Sequence, residues 1–157
     1  MALPILPTAL PSLGDRDAII DSLYRGVISL DTGDEATFLS AFTDDAVVDI
    51  NGTLLKGLPT IRGGMFETIS KINTTHFITN VRVDHEPGES TAKVTAHALA
   101  QHFRSGQGFG PDEANLLTGS LYYSEVVKGD SDGLWKAKLF QMRTSWAQGD
   151  RAIAQGK

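Results

Sequence analysis

The sequence predicts an α+β fold: a cone-shaped, strongly curved antiparallel sheet with helices packed on its concave face. Three observations carry that reading. The front of the chain holds amphipathic segments with helix-start signals, the back holds four long runs of strand character, and the joints between those runs have turn chemistry. Long strands joined by short turns coil strongly, and helices that precede such a sheet bury their apolar stripe by lying across it.

Taken in order, "MALPILPTALPS" is apolar but has no charged leader and three prolines in eleven residues. It reads as a Pro-stiffened arm, residues 1–12, lying over the surface or a partner subunit, and not as a signal peptide. A single domain then spans 13–150, with a C-terminal tail at 151–157. In "SLGDRDAIIDSLYRGVISLD", Ser12 precedes Asp15 at capping-box-like spacing, and Ile20, Leu23, Tyr24, Val27 and Asp31 recur on one helical face. After Thr32-Gly33 a second short helix follows, "DEATFLSAF", with Thr32 and Glu35 again at capping spacing. "AVVDINGTLLKG" places two extended runs around Asn51-Gly52, a strong hairpin signal. "LPTIRGGMFETISKI" reads as a third helix, with Pro59 in its first turn and Gly63-Gly64 weakening it. The four long strands are 75–86, 91–104, 115–128 and 134–147, separated by "PGES", "SGQGFGPDEA" and "GDSDG".

Bulk chemistry removes several function classes. A net charge of −5 with no basic run lacks the clustered cations that a nucleic-acid footprint needs. The absence of cysteine removes disulfides, thiolate metal sites and cysteine nucleophiles together. No apolar stretch is long enough for a membrane helix, so the chain is expected in the cytoplasm, an inference from missing signals alone.

Two residues stand out. Asp31 falls on the apolar face of the first helix, where a carboxylate must be paired or hydrogen-bonded. It is either a helix-end residue bonded to backbone amides or half of a functional pair. His76 heads the strand "TTHFITNVRV"; it is either a satisfied structural residue or, beside a buried aspartate, a base. Spacing leaves both choices open. His97 and His102 alternate to opposite faces of one strand and there is no H-E-x-x-H, so no metal site and no cofactor are expected. "GQGFG" is not followed by a helix, and no G-x-S-x-G elbow occurs.

Alternation sorts the strands into faces. Leu116, Thr118, Ser120, Tyr122 and Ser124 share one; Leu117, Gly119, Leu121, Tyr123 and Glu125 share the other. Ala96, Ala98, Ala100, His102 and Arg104 fall together, as do Lys138, Phe140, Met142 and Trp146. Small residues with scattered hydroxyls suit a cavity wall or a solvated face equally. Val81, Val83, Leu121, Tyr123 and Val127 are expected on the outer face, which favours a homodimer or homotrimer.

The stretches "LYRGVISLDTGDEATFLSAFTDDAVVDI", "TTHFITNVRV" and "GLWKAKLFQMRTSWAQGD" resemble the SnoaL-like group of the nuclear-transport-factor-2-like superfamily. Dehydrohalogenases of that group use an Asp–His dyad, the Asp closing an "LY…D" helix and the His in a "T-H-x-x-T-N" strand start. The resemblance therefore implies that Asp31 and His76 pair, and it makes His102 a second catalytic histidine by likeness to the dehydratases. It assigns Ala100, Thr118, Ser120, Tyr122, Phe140 and Met142 to the substrate cavity, with Tyr24 as a further candidate. The activity it implies is a cofactor-free dehydratase acting on a polyketide- or terpenoid-like small molecule of secondary metabolism. An isomerase or cyclase, or a non-catalytic binding module, are the alternatives.

Overall fold

Gly14, not Ser12, starts the first helix in the computed structural model, which describes residues 3–157. Helix α1 (Asp15–Thr32) ends on Gly33, whose left-handed backbone lets its N–H reach Ser29 O. Helix α2 (Glu35–Ser40) is capped by Asp34, with the Thr37 hydroxyl donating to its carboxylate, so Thr32 belongs to α1 and caps nothing. The third helix is one turn-rich unit. Helix α3 (Leu58–Ile61) passes through a π turn (Arg62–Phe66) into α4 (Glu67–Ile69). The expected weakness at Gly63-Gly64 is that π turn, and a Cβ on Gly64 would come within 3.0 Å of Leu55. Of the expected N-terminal arm, Leu3, Ile5 and Leu6 are exposed, and Met1 and Ala2 lie outside the described residues.

The strands are β1 (Phe42–Ile50), β2 (Thr53–Lys56), β3 (Asn73–Asp84), β4 (Thr91–Phe103), β5 (Asn115–Lys128) and β6 (Trp135–Gly149). They form one curved sheet in the order β2-β1-β6-β5-β4-β3. Every neighbouring pair is antiparallel except β1 with β6, which runs parallel. Asn51 and Gly52 take positive φ, as the hairpin signal required. The core lies between α1 and the concave face, where Ile19, Leu23, Val27 and Leu30 meet Ala96, Ala98, Phe140 and Val48. Among the described residues no helix is long and apolar enough to cross a membrane.

Bulges correct four of the face assignments. In β3 the register shifts between Thr79 and Arg82, with Asn80 at φ 54, so inward positions change from even to odd numbers. Val81 and Val83 therefore pack against the core instead of facing outward. In β6 two further shifts, opposite Gly119/Ser120 and Glu125/Val126, remove Trp146 and Lys138 from the face of Phe140 and Met142. Lys138 is exposed near Asp45, and Trp146 lies on the convex side with its ring where a Gly119 Cβ would stand, 2.3 Å away. Leu121 is outside as expected; with Phe77, Leu99 and Trp146 it makes an exposed apolar patch on the convex face.

Two ends of the cone differ. At one end Arg25, 5% exposed, donates to the carbonyls of Ser40 and Trp135, to Ser40 Oγ at 2.9 Å and to Asp21 at 3.1 Å. That one guanidinium ties α1, the end of α2 and the start of β6. At the other end the residues expected to form a tail fold back. Asp150 N donates to Asn115 O, Arg104 reaches Asp150 at 2.7 Å, and Ile153 is fully buried in a short 3₁₀ turn against α4, β4 and β5.

Candidate active site

Asp31 sits in the last turn of α1, where the helix dipole disfavours a negative charge by ~0.3–1 kcal/mol. Two hydrogen bonds from a single residue offset that cost. The His76 backbone N–H donates to Oδ2 at 2.9 Å, and His76 Nδ1 donates to Oδ1 at 2.6 Å. Hydrogen bonds to a charged group are the stronger kind, ~1.5–3 kcal/mol each. The carboxylate accepts, so Nδ1 carries the ring proton, and the neutral ring keeps its lone pair on Nε2. The His76 side chain is 7% exposed and that of Asp31 18%, which limits the screening of the pair by water.

Sheet register places the remaining residues around this pair. His76 stands beside Ala100, then Thr118, then Ala147, in one row across four strands. The next row toward the mouth is Thr74, His102, Leu116; the next inward is Ile78, Ala98, Ser120, Thr144; beyond it come Ala96, Tyr122, Met142. The His76 and His102 rings meet edge to face with centroids 5.6 Å apart, and Tyr122 packs on Phe140 at 4.9 Å in the same manner. His102 Nδ1 has Thr74 Oγ1 at 2.7 Å. Among the described residues the side-chain polar atoms both sealed off and unpartnered are His85 Nε2 and Trp135 Nε1, at the far end. His76 Nε2, His102 Nε2 and Tyr122 Oη are thus unpartnered among the described residues but not sealed off.

Burial, helped by the neighbouring His76, lowers the His102 pKa to about 4, with Asp31 opposing in part. Burial, then the Asp31 charge, pushes the Tyr122 phenol far up. At neutral pH both are uncharged hydrogen-bonding groups. The His102 shift has a consequence for stability. The unfolded chain takes up this proton near pH 6.5 and the folded chain only near pH 4, so the contribution is complete above 6.5 and declines as pH falls through that window. The decline reaches about 3 kcal/mol at most, so unfolding midpoints measured at about pH 7 and about pH 4.5 should lie much closer together in His102→Asn than in the wild type.

The site therefore gathers Asp31, His76, His102, Ala100, Thr118, Ser120, Tyr122, Phe140 and Met142 on one concave surface. Tyr24 is not among them. It is 44% exposed and lines a surface groove with Leu13, Ile20 and Asn80. Sequence spacing had put Tyr24 on the buried stripe, but the sheet and α2 contact α1 from adjacent sides and rotate the stripe toward Gly26 and Leu30. Arg104 and Arg143 are held by Asp150 and Asp49, each at 2.7 Å. A 460 Å³ depression is lined by Asp31 and Thr74 together with Lys71, Gln101 and Phe109, and its lining does not include His76. Thr74 was missed by the sequence reading; as a residue two before His76 it shares that face, and this was the available signal.

A sequence profile described as SnoaL-like domain matches residues 11–141. A Penicillium crustosum protein named terrestric acid biosynthesis cluster protein E is 51% identical over 154 residues, which cover 98% of both chains. Among solved structures, a Novosphingobium aromaticivorans protein provisionally named a scytalone dehydratase aligns with TM-score 0.73 and 23% identity, over 87% of this chain and 88% of its own. A hexachlorocyclohexane dehydrochlorinase from Novosphingobium barchaimii aligns with TM-score 0.67 and 20% identity, over 87% and 90%. At those identities the two structures speak for the fold alone.

Proposed function

The chain belongs to the SnoaL-like domain family, and on that premise we propose that it is a small-molecule lyase, a dehydratase that needs no cofactor. The observation that carries the proposal is the Asp31–His76 pair, which leaves Nε2 free and has the neutral His102 ring 5.6 Å away, with neutral Tyr122 two rows further in on the same face. His76 Nε2 takes a proton from a carbon next to a carbonyl, and Asp31 stabilises the imidazolium that forms. The electron pair left on carbon moves toward the carbonyl oxygen, where a Tyr122 or His102 proton is hydrogen-bonded to the developing charge. As the pair returns to form the double bond, the β-hydroxyl leaves with the proton that the His76 imidazolium gives back, so water is the second product and the dyad returns to its starting state. Ala96, Ala98, Ala100, Phe140 and Met142, relieved by Thr118 and Ser120, line a wall suited to a largely apolar, oxygenated molecule. The relative from a biosynthesis cluster supports an intermediate of secondary metabolism, polyketide- or terpenoid-like, as the substrate.

The test is a panel of β-hydroxy ketones in D₂O, followed by mass spectrometry. Loss of water, with the α-hydrogen removed and no deuterium added to carbon in the product, supports the dehydratase. Deuterium at a second carbon without water loss points to an isomerase using the same base. Binding without either sinks the enzyme reading and leaves a binding module.

We also propose that the protein is a homodimer or homotrimer joined through the convex patch of Phe77, Leu99, Leu121 and Trp146. Sedimentation equilibrium should give two or three times the mass of one chain, and Leu121→Arg should give one. A wild type that sediments as a single chain overturns this.

A further inference from the structure

Thr74 and His102 are direct partners across β3 and β4, and their side chains meet on the concave side. The hydrogen bond between Thr74 Oγ1 and His102 Nδ1, at 2.7 Å, can be drawn in two directions. A neutral imidazole carries one proton, so the direction decides which nitrogen faces the interior with a hydrogen and which with a lone pair. Burial keeps the ring neutral at ordinary pH.

Counting hydrogens separates the two cases. If Nδ1 donates, the Thr74 hydroxyl hydrogen needs an acceptor of its own, and among the described residues His102 is the partner that this hydroxyl has. Nε2 would then present a lone pair to the same space as the lone pair of His76 Nε2, which Asp31 fixes in that state. Two acceptors would converge, and the hydroxyl hydrogen of half-buried Thr74 would have only solvent to bond at the wall of the depression. If the hydroxyl donates, its hydrogen is used within the pair. Thr74 O–H goes to Nδ1, Nε2–H points inward, and a donor stands beside an acceptor.

We infer that Thr74 is a positioning residue that sets the His102 tautomer, holding its proton on Nε2 so that an acceptor (His76) and a donor (His102) face one substrate. The purpose of the arrangement rests on the lyase reading; the tautomer itself does not. Asp31 and Thr74 then do parallel work on two histidines with opposite results. One accepts from Nδ1 and makes a base, the other donates to Nδ1 and makes a hydrogen-bond donor.

The test is a long-range ¹H–¹⁵N spectrum of the histidine rings at neutral pH without ligand. The wild type should show His102 protonated on Nε2, Thr74→Ser should keep that pattern, and Thr74→Val should mix the tautomers. With a turned-over substrate in hand, Thr74→Val should lose about 10-fold in kcat with KM little changed, and Thr74→Ser should recover it. A wild-type proton on Nδ1, or a ring pattern unmoved in Thr74→Val, overturns the inference. The wild-type spectrum decides even where the valine variant does not fold. Since it needs no substrate, it stands apart from a failure of the dehydratase assay.

Discussion

His76→Gln lowers kcat by about 10²- to 10⁴-fold, the contribution of a positioned general base, and leaves substrate binding within a few fold. Glutamine keeps the backbone N–H that Asp31 Oδ2 accepts, so the strand start and the end of α1 stay tied. What is lost is a nitrogen lone pair with a proton acceptor behind it. Asp31→Asn reaches a similar loss by another route. An amide that offers an N–H to Nδ1 drives the ring proton to Nε2 and removes the base without moving the ring. Rates for the two variants, read alongside binding of an unreactive substrate analogue, check this; full turnover in either variant sinks the dyad mechanism.

Arg25→Met destabilises the fold by about 3–5 kcal/mol, the usual consequence of removing one partner from a buried charged network. Methionine fills much of the volume but offers no hydrogen to the Ser40 and Trp135 carbonyls, and it leaves half-buried Asp21 without its cation. Urea unfolding gives the magnitude. The expected signature is a lower midpoint with an unchanged slope, and activity per folded molecule retained, since the partners of Arg25 (Asp21, Ser40 and Trp135) include neither member of the Asp31–His76 pair. A loss below about 1 kcal/mol would mean that water takes over the abandoned carbonyls.

These two residues mark the limits of reading the chain by pattern. The sequence announced His76 because the "TTHFITN" stretch is itself a local signature, and the strands because alternation is a property of neighbouring residues. Arg25 carried no signal. Its local partner Asp21 reads as an ordinary surface pair, the partners that bury it are 15 and 110 residues away, and an arginine inside a helix normally faces water. Bulges were invisible for the same reason. The extra residues at Asn80 and in β6 are extra only with respect to a partner strand, so Val81, Val83, Lys138 and Trp146 were each assigned to the wrong side. The four inner residues of β4 were placed correctly because no bulge interrupts that strand in its pairing with β5. Thr74 needed both kinds of knowledge. Its face followed from His76, but its partner depended on register.

The Asp31 carboxylate divides its two oxygens between a side chain and a main-chain N–H of the same histidine. Half of that arrangement survives any replacement at position 76, because every residue except proline brings the N–H. A descendant of this protein that has given up the reaction can discard the histidine at little cost to its folding, while losing the aspartate unmoors a helix end from a strand. Inheritance should then treat the two unequally. In a lineage drifting away from catalysis the aspartate should outlast the histidine, and its presence alone in a distant cousin records architecture, not trade.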